Sequence, residues 1–464
     1  MARKVFMSVL GTGFYDACKY VRGSFSSSET RFIQQATLEY LKVKNNWTTQ
    51  NAEGEVVDRI IILLTDGAKK ANWYKDITTR FNHRTEKEEP YVGLEQILDN
   101  MCLPCPVETI DIPDGKSEEE MWTIFNIVYE ALKPHDKLYF DLTHSFRYLP
   151  MLVLVLGNYA KFLKGVTVQH ISYGNYEARN TDTQEAPLMD ILPLTMLQDW
   201  TFAAADLIQN GNIKKLQELT ASNALMPMLR TKSEKNLTRR LVDEPLRNYV
   251  AALQKFLEDM KLCLAPNILN GVTVNEIRTC KEQVNSVIEE VIAPIPPIIE
   301  KIEQSLERFE TTDSMNPESL RNGYEAAKWC YDHQLYQQAV TILDENITTD
   351  FCQRLGTDEH VYKERTASNA LLRWGEYREE DWRDESLENI RENVQASVIH
   401  PEVQTFISLM RWDAVWIHNN CRNKYNHASM IQGTEGMLTP EDIKKLGKII
   451  SKVLHGFDRI QNAN

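Results

Sequence analysis

Asp58-Arg59-Ile60-Ile61-Ile62-Leu63-Leu64, closed by Thr65-Asp66-Gly67, decides the fold of the first half of the chain. It is a short apolar run ending in turn formers, the pattern of a buried strand. Similar runs lie on either side. Lys4 to Leu10 reads as a strand ending at Gly11-Thr12-Gly13, Pro106 to Ile112 as a third, and Lys137 to Leu142 as a fourth ending in Thr143-His144-Ser145. Val166 to Tyr173 reads as a fifth, and Met189 to Leu194 is a candidate sixth. Helical periodicity separates them, over Glu29 to Val43, Lys69 to Phe81, Gly93 to Met101 and Ser117 to Leu132. Arg147 to Leu163 is apolar almost all round, so it is expected to be a buried helix. Strands alternating with helices imply an α/β domain with a Rossmann-like parallel sheet covered on both faces. A ligand then sits outside the carboxyl ends of the strands.

From about Leu194 the pattern becomes all-α. Helical stretches include Thr195 to Gln209, Pro245 to Leu262, Leu335 to Glu345, Thr366 to Tyr377, Glu385 to Gln395, Pro401 to Tyr425 and Pro440 to Arg459. Ala293-Pro294-Ile295-Pro296-Pro297 and Gly356-Thr357-Asp358 break the series. The expected division is 1–195 and 196–464, with room for an inserted helical subdomain within 211–384.

The net charge of −14 over 464 residues argues against non-specific binding of double-stranded DNA. Met1-Ala2-Arg3-Lys4 leads straight into a strand pattern without a signal peptide, and no apolar run is long enough to span a membrane. The eight cysteines are scattered, which fits a reduced, cytoplasmic protein. Cys102-Leu103-Pro104-Cys105 has no second pair at zinc spacing, so it reads as structural and no metal site is expected.

Three strand ends carry polar punctuation. Gly11-x-Gly13 lets the backbone approach an anion. The dinucleotide fingerprint is incomplete, because Asp16 stands at the place of its third glycine, so an NAD enzyme is not expected. Thr65 closes the second strand. Asp141-Leu142-Thr143-His144-Ser145-Phe146-Arg147 packs hydroxyls, an imidazole and a guanidinium into a strand-to-helix turn, next to the positive end of the helix. Thr143, Ser145 and Arg147 suit anion contacts, Asp141 suits orienting the turn, and Phe146 and Tyr148 suit core packing. His144 fits either a ligand contact or a structural hydrogen bond.

Near the C-terminus, Arg422-Asn423-Lys424-Tyr425-Asn426-His427 sets a cation, an amide and an imidazole within about one and a half helical turns. An imidazole transfers protons near neutral pH, and a guanidinium holds a phosphate. Arg422 and His427 diverge by about 140° on one helix, whereas Asn423 with His427, and His418 with Arg422, share faces. A complete site is therefore expected from two copies facing each other. Trp412 and Trp416 lie on one stripe and read as core or dimer contacts.

Gly11-Thr12-Gly13-Phe14-Tyr15, Thr30-Arg31-Phe32-Ile33-Gln34-Gln35-Ala36 and Asp141 to Arg147 resemble the CARF domain of type III CRISPR proteins over roughly the first two hundred residues. The resemblance implies a dimerising domain that binds cyclic oligoadenylate, tetra- or hexa-adenylate, at Gly11, Thr12, Gly13, Phe14, Thr65, Thr143, His144, Ser145, Phe146 and Arg147. Behind it, Arg422-Asn423 with His427 resembles the HEPN ribonuclease motif. That likeness implies a metal-independent endoribonuclease acting on single-stranded RNA, with Arg422, Asn423 and His427 as catalytic residues, in a homodimer or larger homo-oligomer. Two other readings stay open: a domain that binds or degrades its messenger without cleaving RNA, and a ligand-gated transcriptional regulator.

Overall fold

The structure is a computed structural model that describes residues 2–48, 58–144, 148–221, 235–291, 294–310, 319–422 and 439–461. The chain forms two compact units, Met1–Gln198 and Asp199–Asn464.

In the first unit, β1 (Lys4–Leu10), β4 (Arg59–Leu64), β7 (Val107–Asp111), β8 (Lys137–Asp141) and β9 (Thr167–Gly174) are the parallel strands read from the sequence. With β2 (Lys19–Arg22), β3 (Phe25–Ser26) and β10 (Glu185–Asp190) they form one sheet in the order β3-β2-β10-β9-β8-β1-β4-β7. β10 runs antiparallel to β9 and parallel to β2. Helices cover both faces, so the fold is Rossmann-like α/β.

Alternation explains why β1 and β4 are apolar over most of their length. Val5, Met7, Val9, Ile61 and Leu63 enter one core with Ile124, Phe125 and Val128 of α3 (Glu118–Ala131) and Leu152, Val153 and Leu156 of α4 (Leu149–Lys164). Phe6, Leu10, Ile60, Ile62 and Leu64 enter the opposite core with Phe32 and with Leu94 and Leu98 of α2 (Leu94–Asn100). Both faces of these central strands are buried, so both sets of alternating side chains must be hydrophobic.

Several expectations are corrected. The helix expected at Glu29–Val43 is α1 (Ile33–Tyr40), because Thr30 instead pairs with Cys18 through two backbone hydrogen bonds. Lys69–Phe81 is not one helix. A π-helical turn at Lys69–Trp73 ends in extended backbone at Tyr74, and β5 (Thr79–Asn82) pairs with β6 (Lys87–Pro90) in a separate hairpin. The last strand ends at Asp190 rather than running to Leu194, since the Asp190 carboxylate accepts from the Leu192 amide and opens the next helix. Finally, α4 is not buried all round. Met151, Val155, Tyr159 and Phe162, spaced along one helical stripe, are exposed, and Phe162 keeps 87% of its surface.

The second unit is helical throughout its described residues. The helices α5 (Leu192–Asn210), which contains the division at Gln198, α6 (Lys214–Ala221), α7 (Lys235–Leu262), α8 (Val272–Val291) and α9 (Pro296–Leu306) lead to α10 (Leu320–Asp332). The next helix, α11 (Tyr336–Leu355), runs ten residues beyond the expected Glu345 and is buried along most of its length. Then follow α12 (Tyr362–Trp374), α13 (Arg391–Val398), α14 (Pro401–Trp416) and α15 (Pro440–Gln461). The stretch expected to begin a helix at Glu385 opens as a 3-10 segment, Glu385–Ile390, before α13. Inside the unit, the Tyr324 hydroxyl donates to Asp350, 2.7 Å away, and Arg354 Nε meets the other carboxylate oxygen at 2.7 Å. That pairing satisfies a carboxylate with no exposed surface. Trp412 is 69% exposed, so it is not core.

Candidate functional site

The sheet order makes β8, β1 and β4 neighbours, so the loops after these strands lie side by side at their carboxyl ends. They also touch. A side-chain carbon added at Gly11 would lie 3.4 Å from the His144 carbonyl, and one at Gly67 would lie 3.2 Å from Thr12 Cγ2.

A buried polar network underlies them. Ser8 and Asp141 face each other across β1 and β8, and the Ser8 hydroxyl donates to Asp141 Oδ2 at 2.7 Å. Gln34, from α1, donates to Ser8 Oγ at 2.9 Å and to the Val9 carbonyl at 3.2 Å. The Thr143 hydroxyl donates to Asp141 Oδ1 at 2.7 Å and accepts the Gly174 amide at 2.8 Å. Burial pushes the Asp141 carboxyl upward, against the Ser8 and Thr143 hydrogen bonds that hold it down. Asp141 thus anchors the turn. The Thr143 hydroxyl is engaged on both sides, and the Thr65 hydroxyl caps the next turn by accepting from the Ala68 amide at 3.2 Å.

His144 lies flat against Tyr15, with ring centroids 3.9 Å apart. Its Nε2 is sealed from solvent and has no partner among the described residues. Burial lowers its pKa from 6.5 to about 4, so the ring is neutral at physiological pH. Burial also raises the Tyr15 hydroxyl far above its ordinary range. Phe14 packs against Tyr91 at 5.3 Å. Ser145, Phe146 and Arg147 lie outside the described residues.

The structure adds Asn72 and Arg80, which lie outside the motifs, and brings Arg31 of the second motif beside them. Asn72, fully buried, donates to the carbonyls of Gly11 and Gly13 at 2.8 and 2.9 Å. Arg80, from β5, donates to the Gly13 and Thr12 carbonyls at 2.9 and 3.2 Å. Its guanidinium lies over both Phe14 and Tyr91. Arg31 donates to the Tyr15 carbonyl at 2.7 Å and lies over the same two rings. Two guanidiniums thus flank the glycine loop, each held by its backbone carbonyls, and Arg31 also lies 3.8 Å from Glu89.

In the helical unit, α14 passes into a π-helical turn, Ile417–Arg422. Buried Ile417 and Cys421 pin the turn. Arg422 Nη1 lies 3.0 Å from Asp344 Oδ2, and Nη2 lies 2.5 Å from Glu345 Oε1, both carboxylates on α11. His418, on the same face, places Nδ1 3.1 Å from the same Asp344 oxygen. Asn423 and His427 lie outside the described residues. Among the described residues no group of three or more His, Cys, Asp or Glu is arranged to hold a metal ion, and no helix is long and apolar enough to cross a membrane.

A parallel sheet with loops clustered at the ends of adjacent strands, over a buried carboxylate, defines the first unit as a Rossmann-like ligand-binding domain. Residues 5–177 match the family described as "CRISPR system endoribonuclease Csx1, CARF domain". The chain is 20% identical over 413 residues to the CRISPR-associated protein MJ1674 of Methanocaldococcus jannaschii, an alignment covering 80% of this chain and 57% of that relative. The chain therefore matches little more than half of the relative's length. These likenesses support a CARF-containing accessory protein of type III CRISPR systems. The family match stops at residue 177, before the helical unit begins.

Proposed function

We propose that the chain is an endoribonuclease switched on by a cyclic oligoadenylate in type III CRISPR defence. The observation that carries this reading is the Arg422 guanidinium, held with His418 on one buried carboxylate in a helical unit that follows a CARF-type domain. In the reaction, the substrate's 2′-hydroxyl oxygen attacks the adjacent phosphorus and gives up its proton. The bond from phosphorus to the 5′ oxygen breaks, and that oxygen takes a proton. Single-stranded RNA is cut to a 2′,3′-cyclic phosphate and a 5′-hydroxyl. His427 transfers protons, Arg422 stabilises charge on the phosphate, and Asn423 positions the reacting groups.

The messenger meets the loops at Gly11, Thr12, Gly13, Phe14, Thr65, Thr143, His144, Ser145, Phe146 and Arg147, with Arg31 and Arg80 supplying positive charge beside the glycines. Two chains act together, and the exposed stripe of Met151, Val155, Tyr159 and Phe162 supports contact with a second copy. The messenger activates by binding one arrangement of the dimer better than the other.

The test is cleavage of a fluorophore-quencher RNA in EDTA, with and without cyclic tetra- and hexa-adenylate, by the wild type and by His427→Ala. Cleavage that needs a ring and is lost in the variant is the expected result. A wild type that binds a ring and leaves the RNA intact overturns the ribonuclease reading.

A further inference from the structure

The contacts around Arg422 extend beyond the motif. Glu345 Oε2 receives Arg365 Nη2 at 2.6 Å, while its other oxygen holds Arg422. Arg373 Nη2 lies 3.0 Å from His418 Nε2. Among the described residues, three guanidiniums thus gather around two carboxylates. Arg422 has five N–H groups, and among the described residues these contacts engage two of its nitrogens, so the guanidinium still has donors to offer a phosphate. The carboxylates thus hold the cation without consuming it.

Asp344 is the hub. It is buried, and one of its oxygens takes both the His418 and the Arg422 contacts. His418 Nδ1 lies 3.1 Å from that oxygen. Arg373 Nη2 lies 3.1 Å from His418 Nδ1 and 3.0 Å from Nε2, so the guanidinium meets both ring nitrogens. His418 is thus a brace between Arg373 and Asp344. The π-helical turn sets His418 and Arg422 over one oxygen, and such turns are frequent at functional sites.

We propose that Asp344 is the positioning residue of the ribonuclease centre: one carboxylate oxygen fixes Arg422, and His418, braced by Arg373, fixes that carboxylate. This rests on the ribonuclease reading above. Asp344 touches no reacting atom in it.

The experiment uses the full-length protein with a cyclic oligoadenylate that activates the wild type, and measures kcat and KM for RNA. Asp344→Asn keeps the shape and removes the charge, and is expected to lower kcat about a hundredfold while KM changes little. Asp344→Glu restores part of the loss, and His418→Asn lowers kcat without removing either limb of the pH–rate profile. Added guanidinium at millimolar concentration partly rescues Arg422→Ala, and fails to rescue Arg422→Ala combined with Asp344→Asn, because the carboxylate is the seat for the added cation. Melting temperature and messenger binding are followed alongside, and if Asp344→Asn does not fold, the Asp344→Glu and His418→Asn results decide. An unchanged kcat in Asp344→Asn overturns the proposal, as does rescue that is absent or equal in the two backgrounds. A pH limb lost in His418→Asn overturns the bracing role. These outcomes leave the ribonuclease reading standing, whereas a wild type that cleaves no RNA with any ring sinks that reading itself.

Discussion

Replacing His144 by phenylalanine is expected to make the first unit less sensitive to acid. The phenyl ring keeps the stack on Tyr15 and removes the titrating group. In the wild type, burial holds the imidazole's pKa at about 4, against 6.5 for the ordinary side chain. As pH falls from neutrality, the unfolded chain therefore takes up a proton that the folded chain refuses. Stability is intact above about pH 6.5, declines through the interval between the two values, and levels off below about pH 4, where both states are protonated. A gap of about 2.5 pKa units corresponds to a total loss of about 3 kcal/mol, with roughly two-fifths of it gone by pH 5.5. Hydrogen exchange of peptides covering β1 and β8, corrected for the intrinsic pH dependence of exchange, gives the opening free energy of this unit. Between pH 7.5 and 5.5 the wild type should lose about 1 kcal/mol more than His144→Phe. Identical pH dependence in the two proteins refutes the reasoning, because the ring would then titrate alike in the folded and unfolded chains.

Two further tests address packing. A methyl group added at Gly93 would sit 2.1 Å from the Tyr74 carbonyl oxygen and 2.6 Å from that of Trp73. Backbone atoms cannot swing aside, so Gly93→Ala should cost about 1–3 kcal/mol in urea unfolding. Phe162→Glu puts a charge in the exposed stripe of α4, and sedimentation should show self-association weakened at least about tenfold, or about 1.4 kcal/mol. An unchanged equilibrium would mean that the copies meet elsewhere.

What could be read from the sequence follows burial. β1 and β4 were legible because both of their faces are covered, which favours apolar residues at most positions, with the hydrogen-bonded Ser8 the buried exception. β5 and β6 were not, because they form an exposed hairpin whose residues Arg80, Glu88 and Glu89 carry no alternation. Arg80 was lost with that hairpin. Asn72 is fully buried, yet it lies in a stretch of helical composition with no motif around it. The apolar circumference of α4 was visible, but composition does not separate a face buried in the chain's own core from one that stays exposed. Arg422 stood out through its spacing to His427. Asp344 and Glu345 lie far upstream on a helix of ordinary composition, and only tertiary packing brings them to it. The hydroxyl of Thr143 was expected at an anion. Its use by Asp141 and Gly174 depends on neighbouring strands that a local motif does not include.

The position of β10 bears on how the chain is made. β2 and β3 leave the ribosome well before β10, residues Glu185–Asp190, yet β10 is the strand that joins β2 to the main sheet. At about 5–20 residues per second, that partner follows β2 by roughly eight to thirty-three seconds. Until then β2 and β3 can be at most a two-stranded hairpin, which is marginally stable in water. Tyr20, buried in the finished unit, is meanwhile open to solvent and to other chains. The nascent protein thus passes through a window in which a holding chaperone, or slower aggregation-prone pairing, competes for β2 and β3.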